Sequence, residues 1–295
     1  AITSGTDIIP DVNKAAYNHV TACSTRDPQT VEHMRQVLRR GLNPQNQQPH
    51  LGSRGTRPSH PAKPADFPSR AEDYNLTFIN TAGIATRVQQ IPNVEDAIAL
   101  VDNFTRNSFG FRTSAASEDP VTARKDSLNL LKQLNSTPVE LVGRPIIEVR
   151  LADPTVPEER GQYRLWSKTV AISPGATGAF EHEMGHAVHQ SARCANNLNM
   201  DREFAALNPP GFTYGDNKPT EEWAGITTTQ YASRKIADDV AETSQSLQIA
   251  DPSYCSALRN PENNLSEKFI AVATDMEEVH PRLGAYLIGR YATVC

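Results

Sequence analysis

The sequence predicts an α+β protein: mixed segments and a strand hairpin leading into one particular helix, followed by a mainly helical second half. Three observations predict it. Residues 145–151 and 163–172 are rich in Ile, Val, Leu, Tyr and Trp and read as strands. From residue 178 onward apolar residues recur at helical spacing in segment after segment. The order is mixed segments, then a hairpin, then helices, without the regular strand–helix alternation of a parallel α/β fold. With 295 residues, 38% of them hydrophobic and 21% charged, the chain can bury one large core or two smaller ones.

Taken in order, residues 31–42 read as a helix. Residues 43–70 are crowded with Pro, Gln, Ser, Arg and Gly, lack periodicity and read as a long loop or linker. Residues 75–86 are apolar-rich and are expected to form a strand, and 94–103 and 127–134 have helical spacing of Val, Ile and Leu. The second strand run breaks near Ser167–Lys168 like a hairpin, and Ser173-Pro174-Gly175 ends the sheet. Helices are then expected over 178–193, 221–229, 236–248, 266–274 and 281–291. This divides the chain into an N-terminal segment, 1–75, and a main domain, 76–295, with an upper lobe to about residue 195 and a helical lower lobe over 196–295.

Composition excludes several functions. A net charge of −5, with basic clusters such as Arg35 to Arg40 reading as a solvated helix face, gives no footprint for nucleic acid. No apolar run reaches the roughly 18 residues of a membrane span, so no membrane partner is expected, and the start at Ala1 reads as that of a processed chain. Cys23, Cys194, Cys255 and Cys295 stand far apart without C-x-x-C spacing; two disulfides in one of three pairings account for them better than a cysteine metal site. Sequons begin at Asn75, Asn103, Asn135 and Asn264. Even cysteines and several sequons together predict a secreted, extracellular glycoprotein.

The chemistry is concentrated in Phe180-Glu181-His182-Glu183-Met184-Gly185-His186, which contains H-E-x-x-H. By composition alone an accidental match arises with a probability of about 0.01. On a helix, positions four apart share a face, so His182 and His186 can converge on one ion while Glu183 reaches a water molecule beside it. Two neutral imidazoles and a carboxylate suit a single Zn2+, with a fourth position left open for water. Glu183 would act as general base and then pass the proton to the leaving amine. Small Gly185 permits close approach inside the helix.

A third ligand is needed, and residues 231–242 offer Asp238, Asp239 and Glu242. Asp238 and Glu242 share a helical face, so one can bind the metal while the other orients a histidine through its free N–H. Asp239 points about 100° away on an ideal helix. The same acids also fit the start of a solvated helix, where the dipole favours negative charge. Tyr231 is a candidate donor to a developing oxyanion, or simply a packing residue. His280 competes for the donor role, and an ordinary surface position fits it better. His189 lies one turn beyond His186, and we read it as a bystander, because Gln190-Ser191-Ala192-Arg193 continues the helix.

H-E-x-G-H followed by a Tyr seven residues before an acid-x-x-Ala-Glu helix resembles the gluzincin group of zincin metallopeptidases. It is similar in particular to the catalytic domain of anthrax lethal factor and related secreted bacterial and fungal zinc peptidases. The resemblance covers about residues 163–248. It implies a zincin-like fold, His182, His186 and Asp238 as zinc ligands, Glu242 behind a ligand, Glu183 as base and Tyr231 as oxyanion donor. Asp238 stands where that group usually has Glu, which leaves the third ligand open between Asp238, Asp239 and Glu242. The resemblance also implies an edge strand that pairs with extended substrate, and residues 168–173 are expected to supply it.

The expected function is therefore a secreted zinc metalloendopeptidase acting on protein or peptide substrates. A zinc hydrolase for a narrower amide target is a second enzyme reading. A secreted zinc-containing binding or virulence-type protein with little turnover is the alternative from another class, and the presence of Glu183 favours catalysis over it. No G-x-S-x-G occurs to suggest a serine nucleophile.

Overall fold

A computed structural model describes residues 28–42, 74–142, 145–153, 159–192, 198–260 and 263–295. The expected loop over 43–70, and Cys23 and Cys194, lie outside them. The helices of the first half are α1 (Pro28–Gly41), α2 (Ala82–Gln90), α3 (Val94–Phe109), α4 (Pro120–Leu134) and the single turn α5 (Val139–Val142). Local chemistry sets their ends. Asn93 caps α3 by accepting the N–H groups of Glu95 and Asp96, and Gly110 ends it at a φ of 81°. Asp119 caps α4, with Pro120 in its first turn.

Four strands, β1 (Arg112–Ala115), β2 (Glu148–Leu151), β3 (Gly161–Arg164) and β4 (Thr169–Ile172), form a mixed sheet in the order β1-β2-β4-β3. β1 and β4 both run parallel to β2, while β3 and β4 form an antiparallel hairpin. Its turn brings Lys168 to a φ of 49°, at the break expected from the sequence. The α+β class is thus found, with one correction inside it. The strand over 168–173 is interior, not an edge: all four residues of β4 are buried and pair on both sides. The edge belongs to β3.

Two further expectations are corrected. Residues 75–86 do not form a strand; α2 starts at Ala82 because Ile84, Val88 and Ile91 lie on one helical face against Ala97, Val101 and Leu131. Of the helix expected over 221–229 only one turn, α8 (Thr220–Trp223), exists, and Gly225 at a φ of 80° turns the chain away. Strand β1 and helix α7 (Leu198–Ala205) were not expected at all.

The remaining helices are α6 (Ala179–Ala192), α9 (Ile236–Ile249), the turn α10 (Cys255–Leu258), α11 (Asn264–Val279) and α12 (Leu283–Val294). One apolar core runs from Val149, Leu151 and Val170 of the sheet through Phe180 and Met184 of α6 to Phe269 and Met276 of α11. Helix α1 joins it with Met34, Val37 and Leu38, and Arg35 reaches Glu267 of α11 at 2.7 Å. Cys255 and Cys295 are bonded, tying α10 to the end of α12. Among the described residues no helix is long and apolar enough to cross a membrane.

The crossing of α6 and α9 positions the site. At Gly185 a Cβ would lie 2.8 Å from the Ala241 Cα and 2.9 Å from the Ser244 Cβ, so only glycine lets the two helices approach this closely. Ala241 stands between Asp238 and Glu242, and Gly185 between His182 and His186. The contact therefore turns the histidine face of one helix toward the carboxylate face of the other.

Candidate metal centre

On α6 the His182 and His186 rings stand 4.9 Å apart at 82°. Ligand atoms of His182, Glu183 and His186 all lie within 4.8 Å of one another. Glu242 Oε1 lies 2.8 Å from His182 Nδ1. A carboxylate can only accept, so Nδ1 carries a proton, and in the neutral imidazole Nε2 keeps its lone pair.

Asp238 stands beside this group on α9. Its Oδ1 lies 3.9 Å from His186 Nε2 and 3.4 Å from Lys235 Nζ. Its Oδ2 is buried without a hydrogen-bond partner, which is costly for a residue only 1% exposed. Two imidazole nitrogens and an unsatisfied buried carboxylate oxygen are the donor types that a zinc ion takes. His182, His186 and Asp238 therefore fit a divalent cation.

Electrostatics in the cluster are set mainly by burial. Burial raises the Glu183 carboxyl to about 7, against the opposing pull of His182 and of the Tyr163 N–H that it accepts. Burial raises Asp238 as well, offset in part by Lys235. Burial and the neighbouring His182 drive His186 well below the ordinary imidazole value, which keeps it neutral. For His182 burial also pulls downward, but the hydrogen bond to Glu242 and the charges of Glu183, Glu242 and Asp238 outweigh it, so its value rises.

Glu183 faces a cleft bounded by β3. Arg160 accepts the Ser173 N–H from beside β4, and antiparallel alternation then turns the N–H and C=O groups of Gly161 and Tyr163 toward the cleft. Two adjoining hollows, of about 430 Å³ and about 350 Å³, share Gly161, His182, Glu183 and Tyr231 as common walls. One extends past Leu165, Gln190 and Lys235, the other past Gly178, Thr229 and Gln245. The two hollows thus meet at His182 and Glu183.

Tyr231 lies with its ring 5.6 Å from that of His182 and under the Arg234 guanidinium at 4.7 Å. Burial and the nearby Asp238 push its phenol up to about 12, so it keeps its proton for donation.

The structure brings His182, Glu183, His186, Tyr231, Asp238 and Glu242 together and places three other candidates elsewhere. Asp239 Oδ2 is held by Lys268 Nζ at 2.6 Å and by the Tyr214 hydroxyl at 2.9 Å. It does not line the cleft. His189 lies between Asp275, at 3.1 Å from Nδ1, and Asp201, at 2.7 Å from Nε2, so it braces α6 against α11 and α7. His280 follows the last turn of α11 and lines neither hollow.

Sequence reading missed Gly161, Thr229 and Lys235. For Gly161 a signal existed: the alternating Gly-Gln-Tyr-Arg pattern marks a half-exposed strand, whereas Thr-Val-Ala-Ile marks an interior one. No local signal distinguishes Thr229 in a run of three threonines.

Comparison with protein-family models, with curated proteins and with solved structures finds no match for this chain.

Proposed function

We propose that the chain is a secreted zinc metallopeptidase with a zincin-type site that hydrolyses peptide bonds in an extended substrate. One observation carries the reading. Two imidazoles stand together beside an acid, Glu183, that faces a cleft, and the buried carboxylate of Asp238 approaches them with Oδ1 at 3.9 Å from His186 Nε2. His182, His186 and Asp238 would hold the zinc. Zinc bound there would polarise a substrate carbonyl and acidify water next to it.

Everything else falls to the chain's own residues. Glu183, raised to about 7, is matched to taking a proton from the attacking water near neutral pH and returning it to the leaving amide nitrogen. Tyr231 donates a hydrogen bond from its hydroxyl to the carbonyl oxygen as negative charge develops there, a contribution of about 3 kcal/mol in comparable sites. Glu242 holds the His182 ring in one orientation. The outward-facing N–H and C=O of Gly161 and the C=O of Tyr163 pair with substrate backbone as an added strand. The Cys255–Cys295 bond and the sequons support an extracellular setting.

The experiment is cleavage of a denatured protein by wild type and Glu183→Gln, each assayed for zinc by elemental analysis. The proposal expects one zinc in both proteins and cleavage only by the wild type, abolished by chelator. Undiminished cleavage by Glu183→Gln contradicts the mechanism. Zinc without cleavage in the wild type instead favours a zinc-containing binding protein.

A further inference from the structure

Glu242 uses its two oxygens differently. Oε1 meets His182 Nδ1 at 2.8 Å, and Oε2 accepts the hydroxyl of Thr229 at 3.0 Å. The same Thr229 oxygen accepts the Ala232 N–H at 3.0 Å. Tyr231 lies inside that turn, between Thr229 and Ala232. One hydroxyl, with one proton to give and lone pairs to receive, thus joins the acid that orients His182 to the turn that presents Tyr231.

The rest of this loop is fixed by other means. The Ile226 carbonyl accepts from Lys268 Nζ at 2.7 Å, the Thr228 carbonyl from the Tyr254 hydroxyl at 2.8 Å and the Thr229 carbonyl from the Thr227 hydroxyl at 2.9 Å. The main chain of residues 226–229 is therefore anchored whether or not residue 229 has a hydroxyl, whereas the turn over 229–232 uses it. The bond to Glu242, thirteen residues along the chain, is not needed to shape the turn. What it fixes is the rotation of the Glu242 carboxylate and, through it, the His182 ring.

We infer that Thr229 is a positioning residue that sets His182 and Tyr231 together through Glu242. The inference rests on the zinc peptidase reading above. Removing the hydroxyl leaves Glu242 Oε2 without its donor and the Ala232 N–H without its acceptor, so the ligand ring and the phenol both lose their alignment. Partners that orient metal-binding histidines typically contribute 10–100-fold in metal affinity or activity.

The test compares wild type, Thr229→Val, Thr229→Ala and Thr229→Ser. Zinc affinity is read by competition with a chromogenic chelator, alongside kcat and KM on one peptide and thermal melting. Val and Ala are expected to weaken zinc binding about tenfold and to lower kcat about tenfold with KM little changed. Ser is expected to restore both. Ala gives a second hydroxyl-free variant should Val not fold. In a cycle with Glu242→Gln, removing the hydroxyl should add little further loss.

Three results overturn the inference: wild-type zinc affinity and kcat in the hydroxyl-free variants, a Ser variant as impaired as Val, or fully additive losses with Glu242→Gln. A wild type that neither binds zinc nor cleaves peptide overturns the metallopeptidase reading itself. A wild type that binds zinc without cleaving still decides the inference through the affinity measurements.

Discussion

The Cα of Gly161 lies against the carboxylate of Glu183, so that a Cβ there would stand 2.7 Å from Oε1 and 2.8 Å from Cγ. With the Tyr163 N–H as its donor, the edge strand holds the acid from two sides. Gly161→Ala must push the Glu183 carboxylate aside. A displacement near 1 Å is enough to cost about 100-fold in rate. We expect kcat to fall by about that factor while zinc content stays at the wild-type level, and a kcat within twofold of wild type would refute this placement of the base.

Asp238 and Asp239 are adjacent in sequence and opposite in role. Asp238→Asn should abolish zinc retention at little cost in folding. Asp239→Asn should retain zinc but leave the buried ammonium of Lys268 unpaired, at a cost of about 3 kcal/mol in stability. Urea unfolding and elemental analysis of the two variants check this; the reverse assignment, with zinc lost only from Asp239→Asn, would exchange the roles.

How far these roles could be read from the chain depends on range. The histidine pair and Glu183 are fixed by helical geometry within five residues, and the hairpin over 163–172 by its strand pattern, so both were legible. Which of two neighbouring aspartates faces the histidines depends on the rotation of α9. That rotation is set by the Gly185–Ala241 contact and by Lys268, residues far away in sequence. Strand β1, Arg-Thr-Ser-Ala, carries no apolar run and exists because β2 offers it a parallel partner. The stretch 75–86 misled for a related reason. Leu76 and Tyr74 are buried in the main core, while Ile84 and Val88 turn helical to reach a separate cluster, and composition does not mark the boundary.

His189 predicts a pH dependence of stability. Burial pulls its pKa down, but the hydrogen bonds to Asp201 and Asp275 outweigh that, and it stands above its ordinary 6.5 in the folded protein. A proton held more tightly by the folded than by the unfolded chain stabilises it fully below about pH 6.5, and the contribution is lost as pH rises through the raised value. His189→Gln should therefore be less stable than wild type at about pH 6, and the difference should narrow by about pH 9. Urea midpoints of both proteins across this range check it; a difference that widened with pH would contradict the assignment.

The Cys255–Cys295 bond closes a loop over a sequence separation of 40. By loop-closure entropy it stabilises the fold by about 4 kcal/mol. The double serine variant should unfold at lower urea by a corresponding amount and still bind zinc, since neither cysteine touches the cleft. Loss of zinc at temperatures where that variant remains folded would show that the site depends on this tie.

The most direct test is anomalous diffraction at the zinc absorption edge from crystals of the purified protein. A single peak within coordination distance of the ring nitrogens of His182 and His186 and a carboxylate oxygen of Asp238 is the predicted result. No peak there after zinc soaking, or an ion held by Asp239 or His189 instead, would contradict it.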